Sequence, residues 1–449
     1  MALTGTGKPT SVHRKILALL AGFSLVSYAL RTNISVAAKF MMPELGLSEI
    51  QMGQVFSSFM LGYAIFQIPA GLLGDRRGPR AVLTVAALFW GLTTLLTGLV
   101  PGLLINSGMG AFASLMVLRF TLGTAEAATY PVAARAVANW MPVAERTFAN
   151  AVVIVGSTVG MIFTPPLISW LMVAGGWRET FYVTSVLGFI IALLWRWYAT
   201  DQPAEHKQIN DAELIAVYAG KPERERNQSA SWWRLLGNRN LRLICLSYFL
   251  DSFVFFIFVF WFYLYLVEER GFSVLQGGIF NSLPYVFAMV MVPASGRLCD
   301  SLSARRGRNQ GRRNVVISCL ILAAVFLLVG AQVAAPVLAI ICLSFSVGFL
   351  MSTEGPFWSS SIDVAGPHAG AAGGIMNTAG NMGGVVSTAV APIMVKQFGW
   401  FATFAFCSAL AVVAGLIWLF IRLEQPADEA ATARLDALGI GETIEVSSK

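Results

Sequence analysis

Seven residues separate Arg119 from Glu126 in a run, 112–134, that is otherwise apolar. Two helical turns put both side chains on one face, roughly 10 Å apart along the axis. Ionisable groups at membrane depth are costly, and they persist where they face a protein interior or a water-filled path. A second arginine, Arg31, stands in the apolar run 16–39, roughly 22 Å along a helix from its start. Guanidinium groups offer a planar fork matched to a carboxylate. The chemistry suggested is capture of an organic anion by Arg31 and Arg119. Glu126 would carry a proton, taking it up in a dry setting and releasing it beside a guanidinium. The alternative is a permanent Arg119–Glu126 ion pair that braces the protein.

Other polar residues fall at related depths. Asp251 lies about ten residues into the run 244–267, as a second titrating group or as a structural partner of an arginine. Tyr63 and Gln67, Glu126 and Tyr130, and Asn377 and Asn381 are each four apart and so share a helix face. Such hydroxyls and amides either line a pocket for a hydroxylated or carboxylated ligand or join helices to one another. Trp261 and Phe357 are candidate walls, with plain core packing as the alternative. Glu354 is expected at a gate or in a salt bridge, and Asp363 in a structural role.

The elements that must position these residues are membrane spans. Of 449 residues, 56% are hydrophobic and 12% charged, against roughly 25% charged in a soluble domain. Twelve apolar runs are long enough to cross a bilayer: 16–39, 51–73, 81–100, 112–134, 148–173 and 181–198, then 244–267, 274–295, 315–333, 337–358, 371–395 and 400–421. If both termini are cytoplasmic, Arg178, Arg270 and Lys396 alone among the 31 Lys and Arg residues lie outside; Arg31, Lys39 and Arg119 fall within spans and 25 lie inside. The net charge of +7 is therefore topological, with no basic module for nucleic acid.

Cys245, Cys299, Cys319, Cys342 and Cys407 have no metal-ligand spacing and read as small apolar side chains. No metal or cofactor is expected. No nucleophile elbow, phosphate loop or paired-carboxylate pattern marks an enzyme. Residues 1–11 carry no signal-peptide pattern.

The chain repeats itself. Gly71-Leu72-Leu73-Gly74-Asp75-Arg76-Arg77-Gly78 returns as Gly296-Arg297-Leu298-Cys299-Asp300, followed by Arg305-Arg306-Gly307. Gly176-Trp177 returns as Gly399-Trp400, and Gly156 and Gly160 as Gly380 and Gly384, all at offsets of 223 to 225. Two related six-span bundles follow, 1–200 and 242–422, joined by a cytoplasmic linker, 201–241, with a tail at 423–449. Within the linker, Asn210-Asp211-Ala212-Glu213 starts a short helix ending near Gly220. Asp75, Arg76, Arg77 and Arg80, with Asp300 in the second copy, are candidates for gating through ion pairs, the alternative being topology-setting alone.

This organisation resembles the major facilitator superfamily, whose Gly-x-x-x-Asp-Arg-Arg-Gly turn lies between spans two and three, as here. Closer still is its anion:cation symporter family of sialin-like and bacterial sugar-acid carriers. That resemblance rests on Tyr28 through Ala37, Gly62 through Gly71, Arg119 through Glu126, Trp140-Met141-Pro142 through Arg146 and Gly373 through Gly384. It implies an all-α carrier of twelve helices in two bundles, alternating access, anion binding at Arg31 and proton coupling at Glu126. The residue before Arg31 is Leu30, where some bacterial sugar-acid symporters have an aspartate, a pattern closer to the sialin branch. The expected function is proton-coupled symport of a small organic anion, with a sugar acid as the expected substrate, by a monomer in the plasma (inner) membrane. An uncoupled facilitator or exchanger, or a transporter-like sensor working through the linker, are the alternatives.

Overall fold

The computed structural model describes residues 8–105, 107–219, 232–365 and 369–423. Among them, regular structure is helical apart from one isolated bridge, Pro101 to Ile105. The first half contains α1 (Val12–Leu45), α2 (Glu49–Arg77), α3 (Pro79–Leu99), α4 (Gly108–Glu126), α5 (Thr129–Trp140), α6 (Arg146–Gly175) and α7 (Trp177–Tyr198). A linker helix, α8 (Asp211–Tyr218), leads to the second half. There follow α9 (Arg239–Phe260), the short α10 (Phe262–Leu264), α11 (Val274–Arg306), α12 (Arg308–Gln332), α13 (Pro336–Met351), α14 (Glu354–Ala365) and α15 (Ala369–Ile417).

At 49 residues α15 would be roughly 74 Å long, more than twice a hydrocarbon core. Gly399, at φ 79° and ψ 172°, breaks it into two crossings. With α4–α5 and α13–α14 each forming one crossing, the described residues make twelve.

The sequence repeat is a backbone repeat. Gly78 and Gly307 hold φ 81° and 83° with the same ψ of 152°, and Gly176 matches Gly399 with φ 94° and 79°. These left-handed values are ones a Cβ disfavours. Helix α11 has 33 residues where α2 has 29, about one extra turn. That turn is why Asp300 is followed by its Arg-Arg-Gly four residues later than the first copy would place it.

Both halves also interrupt their fourth crossing. Ala127 and Ala128 separate α4 from α5, and Ser352 and Thr353 separate α13 from α14. Glu126 closes the helix before the first break, and Glu354 opens the helix after the second.

The halves meet at the end away from the termini. Phe56 packs on Phe260 and Trp261 at 5.1 and 5.2 Å, and Ser57 donates to the Val385 carbonyl at 2.9 Å. Ser282 donates to the Ile162 carbonyl, and Lys39 pairs with Glu268 at 3.6 Å. Among the described residues, every side-chain hydrogen bond or ion pair joining the halves lies at this end.

The linker is held to the first half. Asn210 caps α8 through the Glu213 N–H. Glu213, fully buried, accepts the backbone N–H groups of His13 at 2.8 Å and Val12 at 3.3 Å, plus the Thr10 hydroxyl and the His13 ring. It thereby satisfies the exposed donors at the start of α1. Burial pushes the Glu213 carboxyl up, but the His13 N–H, the Thr10 hydroxyl, the His13 ring and the Val12 N–H outweigh it and hold it below the usual range.

Candidate functional site

Helix α1 presents a polar stripe, Ser24, Ser27, Tyr28 and Arg31, at helical spacing toward α4 and α5. From α4, Glu126 reaches into that stripe. Arg31 gives its Nε and an Nη to one carboxylate oxygen, Oε2, at 3.1 and 3.0 Å, and Ser27 adds a third bond at 3.0 Å. The second oxygen, Oε1, is buried and has no partner. The guanidinium lies 4.5 Å from the Tyr28 ring centre, 4.7 Å from Tyr63 and 5.1 Å from Phe59. A cation among three ring faces is well stabilised once water is removed.

Arg119 does not bond Glu126. It turns to α1, donating to the Leu30 carbonyl at 3.2 Å and to Asn33 Oδ1 at 3.1 Å, with its Nε unpartnered. The i,i+7 ion pair, the alternative reading of the sequence, is not formed: two turns of axial separation are a long span, and Glu126 pairs across helices with Arg31 instead. Close packing makes the replacement possible: a Cβ on Gly123 would lie 2.0 Å from the Phe59 carbonyl oxygen, and one on Gly62 would lie 2.4 Å from that of Phe120. Backbone contact of α2 with α4 brings Tyr63 beside the Glu126 end of α4.

The second half contributes acids. Glu354 accepts the Tyr248 hydroxyl at 3.0 and 3.1 Å and the Trp358 indole N–H at 3.1 Å. The expected salt bridge at Glu354 is not formed among the described residues. Asp251, 3% exposed, accepts the Thr353 hydroxyl at 3.5 Å, and no arginine partners it there. Tyr28 of α1 is near enough to Glu354 to interact electrostatically, which places the start of α14 across the interface from the polar stripe of α1. In carriers built from repeats, interrupted helices in matching positions mark the substrate site.

A sequence model described as Major Facilitator Superfamily matches residues 20–386, with a second, overlapping match at 302–441. The chain belongs to the major facilitator superfamily. It is a multi-pass membrane transporter, not an enzyme. A probable sulfoacetate transporter of Cupriavidus necator is 34% identical over 426 residues, 93% of this chain and 97% of that protein. The hexuronate transporter of Bacillus subtilis is 30% identical, covering 88% of this chain and 91% of its own. The D-galactonate transporter of Escherichia coli is 30% identical, covering 91% and 96%. Among solved structures, an inward-facing bacterial homolog of the human lysosomal transporter Spinster superposes with a TM-score of 0.74 at 15% identity, covering 92% of this chain and 97% of its own. A D-xylose-proton symporter superposes with a TM-score of 0.72 at 15% identity, covering 91% and 98%. These two share the fold.

In this superfamily member the remaining candidates scatter. Tyr130 bonds Ser24 at 3.0 Å, and Gln67 is buried with its Oε1 unpartnered. Asn381 spends its amide on the Asn377 carbonyl of its own helix at 2.8 Å, while Asn377 is half-buried. Trp261, expected to wall the site, packs instead into the closed end, with its indole donating to the Thr388 carbonyl at 3.3 Å beside Phe56. Phe357 is buried between Tyr248 and Trp418. The five cysteines are unpaired thiols.

The turn charges pair within one half. Asp75 meets Arg135 at 3.7 Å, and Arg80 gives its backbone N–H to Asp201 at 2.8 Å and its side chain to the Arg196 carbonyl. Arg76, Arg77 and Asp300 are exposed. Asp363 is held by Arg312 at 2.6 Å. Ser27, Tyr28, Asn33 and Tyr248 were not singled out by sequence reasoning. The stripe of hydroxyls preceding Arg31 was the available signal for the first two.

Proposed function

We propose that this transporter is a proton-coupled symporter of small organic anions, with sugar acids as the substrate class, working by alternating access. One observation carries the reading: Arg31 is the shared partner of a buried carboxylate that keeps one oxygen free. An incoming carboxylate competes with Glu126 for the Arg31 fork. Glu126, once displaced, is a desolvated anion without its cation, and a proton neutralises it. Substrate and proton thus enter together. Arg119, fixed to Leu30 and Asn33, keeps the field positive without being consumed by Glu126. The relatives named for sulfoacetate, hexuronate and D-galactonate support an organic anion as cargo. In this reading both termini are cytoplasmic, the protein acts as a monomer in a plasma membrane, and the contacts at the far end correspond to an inward-facing state.

The test is Glu126→Gln in reconstituted vesicles. Counterflow of substrate is expected to persist while accumulation driven by a pH gradient is lost. Full proton-driven accumulation by that variant would refute the coupling. An uncoupled facilitator or exchanger is favoured by Leu30, which removes the acid beside Arg31; substrate entry with no accompanying alkalinisation of the medium would select that reading.

A further inference from the structure

The seam between the halves is built twice from the same parts. Ser57 of α2 donates to the Val385 carbonyl of α15, and Ser282 of α11 donates to the Ile162 carbonyl of α6. The two donors are 225 residues apart and the two acceptors 223, which are offsets of the sequence repeat. One turn before each serine, a glycine meets the same partner helix. A Cβ on Gly53 would lie 2.6 Å from the Thr388 carbonyl oxygen, and one on Gly278 would lie 2.8 Å from that of Pro165. These glycines are again 225 apart and their neighbours 223. Small residues four apart let helix backbones approach closely inside a membrane.

An independent feature of the chain supplies the acceptors. A carbonyl inside a helix is normally taken by the N–H four residues on. Pro166 stands four after Ile162 and Pro392 four after Thr388, and proline has no N–H to give. The freed Ile162 carbonyl takes the Ser282 hydroxyl from the other half. The freed Thr388 carbonyl takes the Trp261 indole, whose ring packs on Phe56 of the first half. A buried carbonyl without a donor is costly, so Pro166 makes α6 depend on the seam for its missing partner.

Resting on the alternating-access reading and the orientation above, we propose that Gly53-x-x-x-Ser57 and Gly278-x-x-x-Ser282 are paired latches that hold the outer gate shut and set how often the carrier opens to the outside. The repeat places one latch on each half, so the halves cannot part at this end without breaking both hydroxyl bonds and both backbone contacts. Opening lets water into the mouth, where it supplies the Ile162 carbonyl with the donor that Ser282 withdraws. The latch is therefore reversible, and its strength is the balance between one serine and one water.

Distances between spin labels test this in the full chain, its five cysteines first replaced by alanine. Labels at Leu103 and Gln332 report the far end, and labels at Arg14 and Arg239 the end that bears the start of α1; all four positions are exposed. Ser57→Ala and Ser282→Ala, verified as folded by thermal shift, are each expected to raise the population with a longer far-end and a shorter opposite-end distance about two- to tenfold. Gly53→Ala and Gly278→Ala should shift it in the same direction. Gly415→Ala, whose Cβ meets only ordinary contacts from 3.5 Å, should leave both distances alone. Folded latch variants with wild-type distributions overturn the proposal, whether or not their thermal midpoint falls. Opposite changes at the two ends of the wild type on adding gluconate, untouched by these substitutions, refute the latches alone. Distances that never trade between the ends, in any variant or with gluconate, refute alternating access and the latches with it.

Discussion

Replacing Gly123 by alanine adds one methyl group at the tightest helix contact beside the site. Helix propensity alone would reward the change by up to about 1 kcal/mol. Geometry opposes it. The new Cβ would lie 2.0 Å from the Phe59 carbonyl oxygen and 2.9 Å from its carbon, both backbone atoms that no rotamer change can move. To reach the 3.4 Å at which ordinary contact begins, α2 and α4 must part by about 1.4 Å. Overpacking of this kind costs about 1–3 kcal/mol, more than the propensity gain. The displacement falls on Arg31, whose guanidinium is held between Tyr63 of α2 and Glu126 of α4 through bonds of 3.0 and 3.1 Å. Gly123→Ala should therefore lower the thermal midpoint in detergent by several degrees and reduce uptake about tenfold. The control is Gly374→Ala, a helical site where a Cβ meets nothing within 4 Å, which should be neutral or stabilising. Equal behaviour of the two variants, or a fully active and stable Gly123→Ala, would refute the claim that this contact positions the site.

Two further outcomes are expected. The Glu213 carboxyl is held below the usual carboxylate range by its donors, although burial acts the other way, so its contribution to docking the linker is complete at neutral pH and is lost as pH falls through the folded-state value. His13 and His206 are titratable groups beside it. Glu213→Gln should flatten the acid limb of the unfolding midpoint against pH; an unchanged limb would exclude this group as its source. At the closed end, Lys39→Glu places like charge against Glu268. An exposed pair contributes at most about 1 kcal/mol, so labelling of a cysteine at Ser57 should rise up to about fivefold and return toward wild type in Lys39→Glu with Glu268→Lys. An unaltered labelling rate in the single variant would remove this pair from the seam.

Span count and the two-fold repeat could be read from hydropathy and spacing, because the bilayer fixes how long an apolar run must be. Pairing could not. The sequence brought Arg119 and Glu126 together as i,i+7 neighbours, whereas the fold gives Glu126 to Arg31 and Arg119 to Leu30 and Asn33. Which partners meet depends on how closely α1, α2 and α4 approach, and that depends on glycines whose role is visible only in three dimensions. Trp261 shows a related limit: an aromatic at the end of a span looks the same in sequence whether it faces a cavity or seals one. The partners of Glu354 were hidden in part: one donor, Tyr248, comes from α9, while Trp358 lies one turn along its own helix.

The break at Gly399 turns α15 back with no loop at all, and its counterpart at Gly176 does the same between α6 and α7. Gly46 to Ser48 and Arg270 to Ser273 are scarcely longer, leaving 100–107 as the longest connection on that face. The face turned away from the termini is almost bare of chain. Binding proteins, antibodies and proteases approaching from that side find little to grip, and an inserted epitope has few places to go. A soluble partner finds more chain to grip on the opposite side, where the described part of the linker meets the start of α1 and where Asn240 meets Arg422.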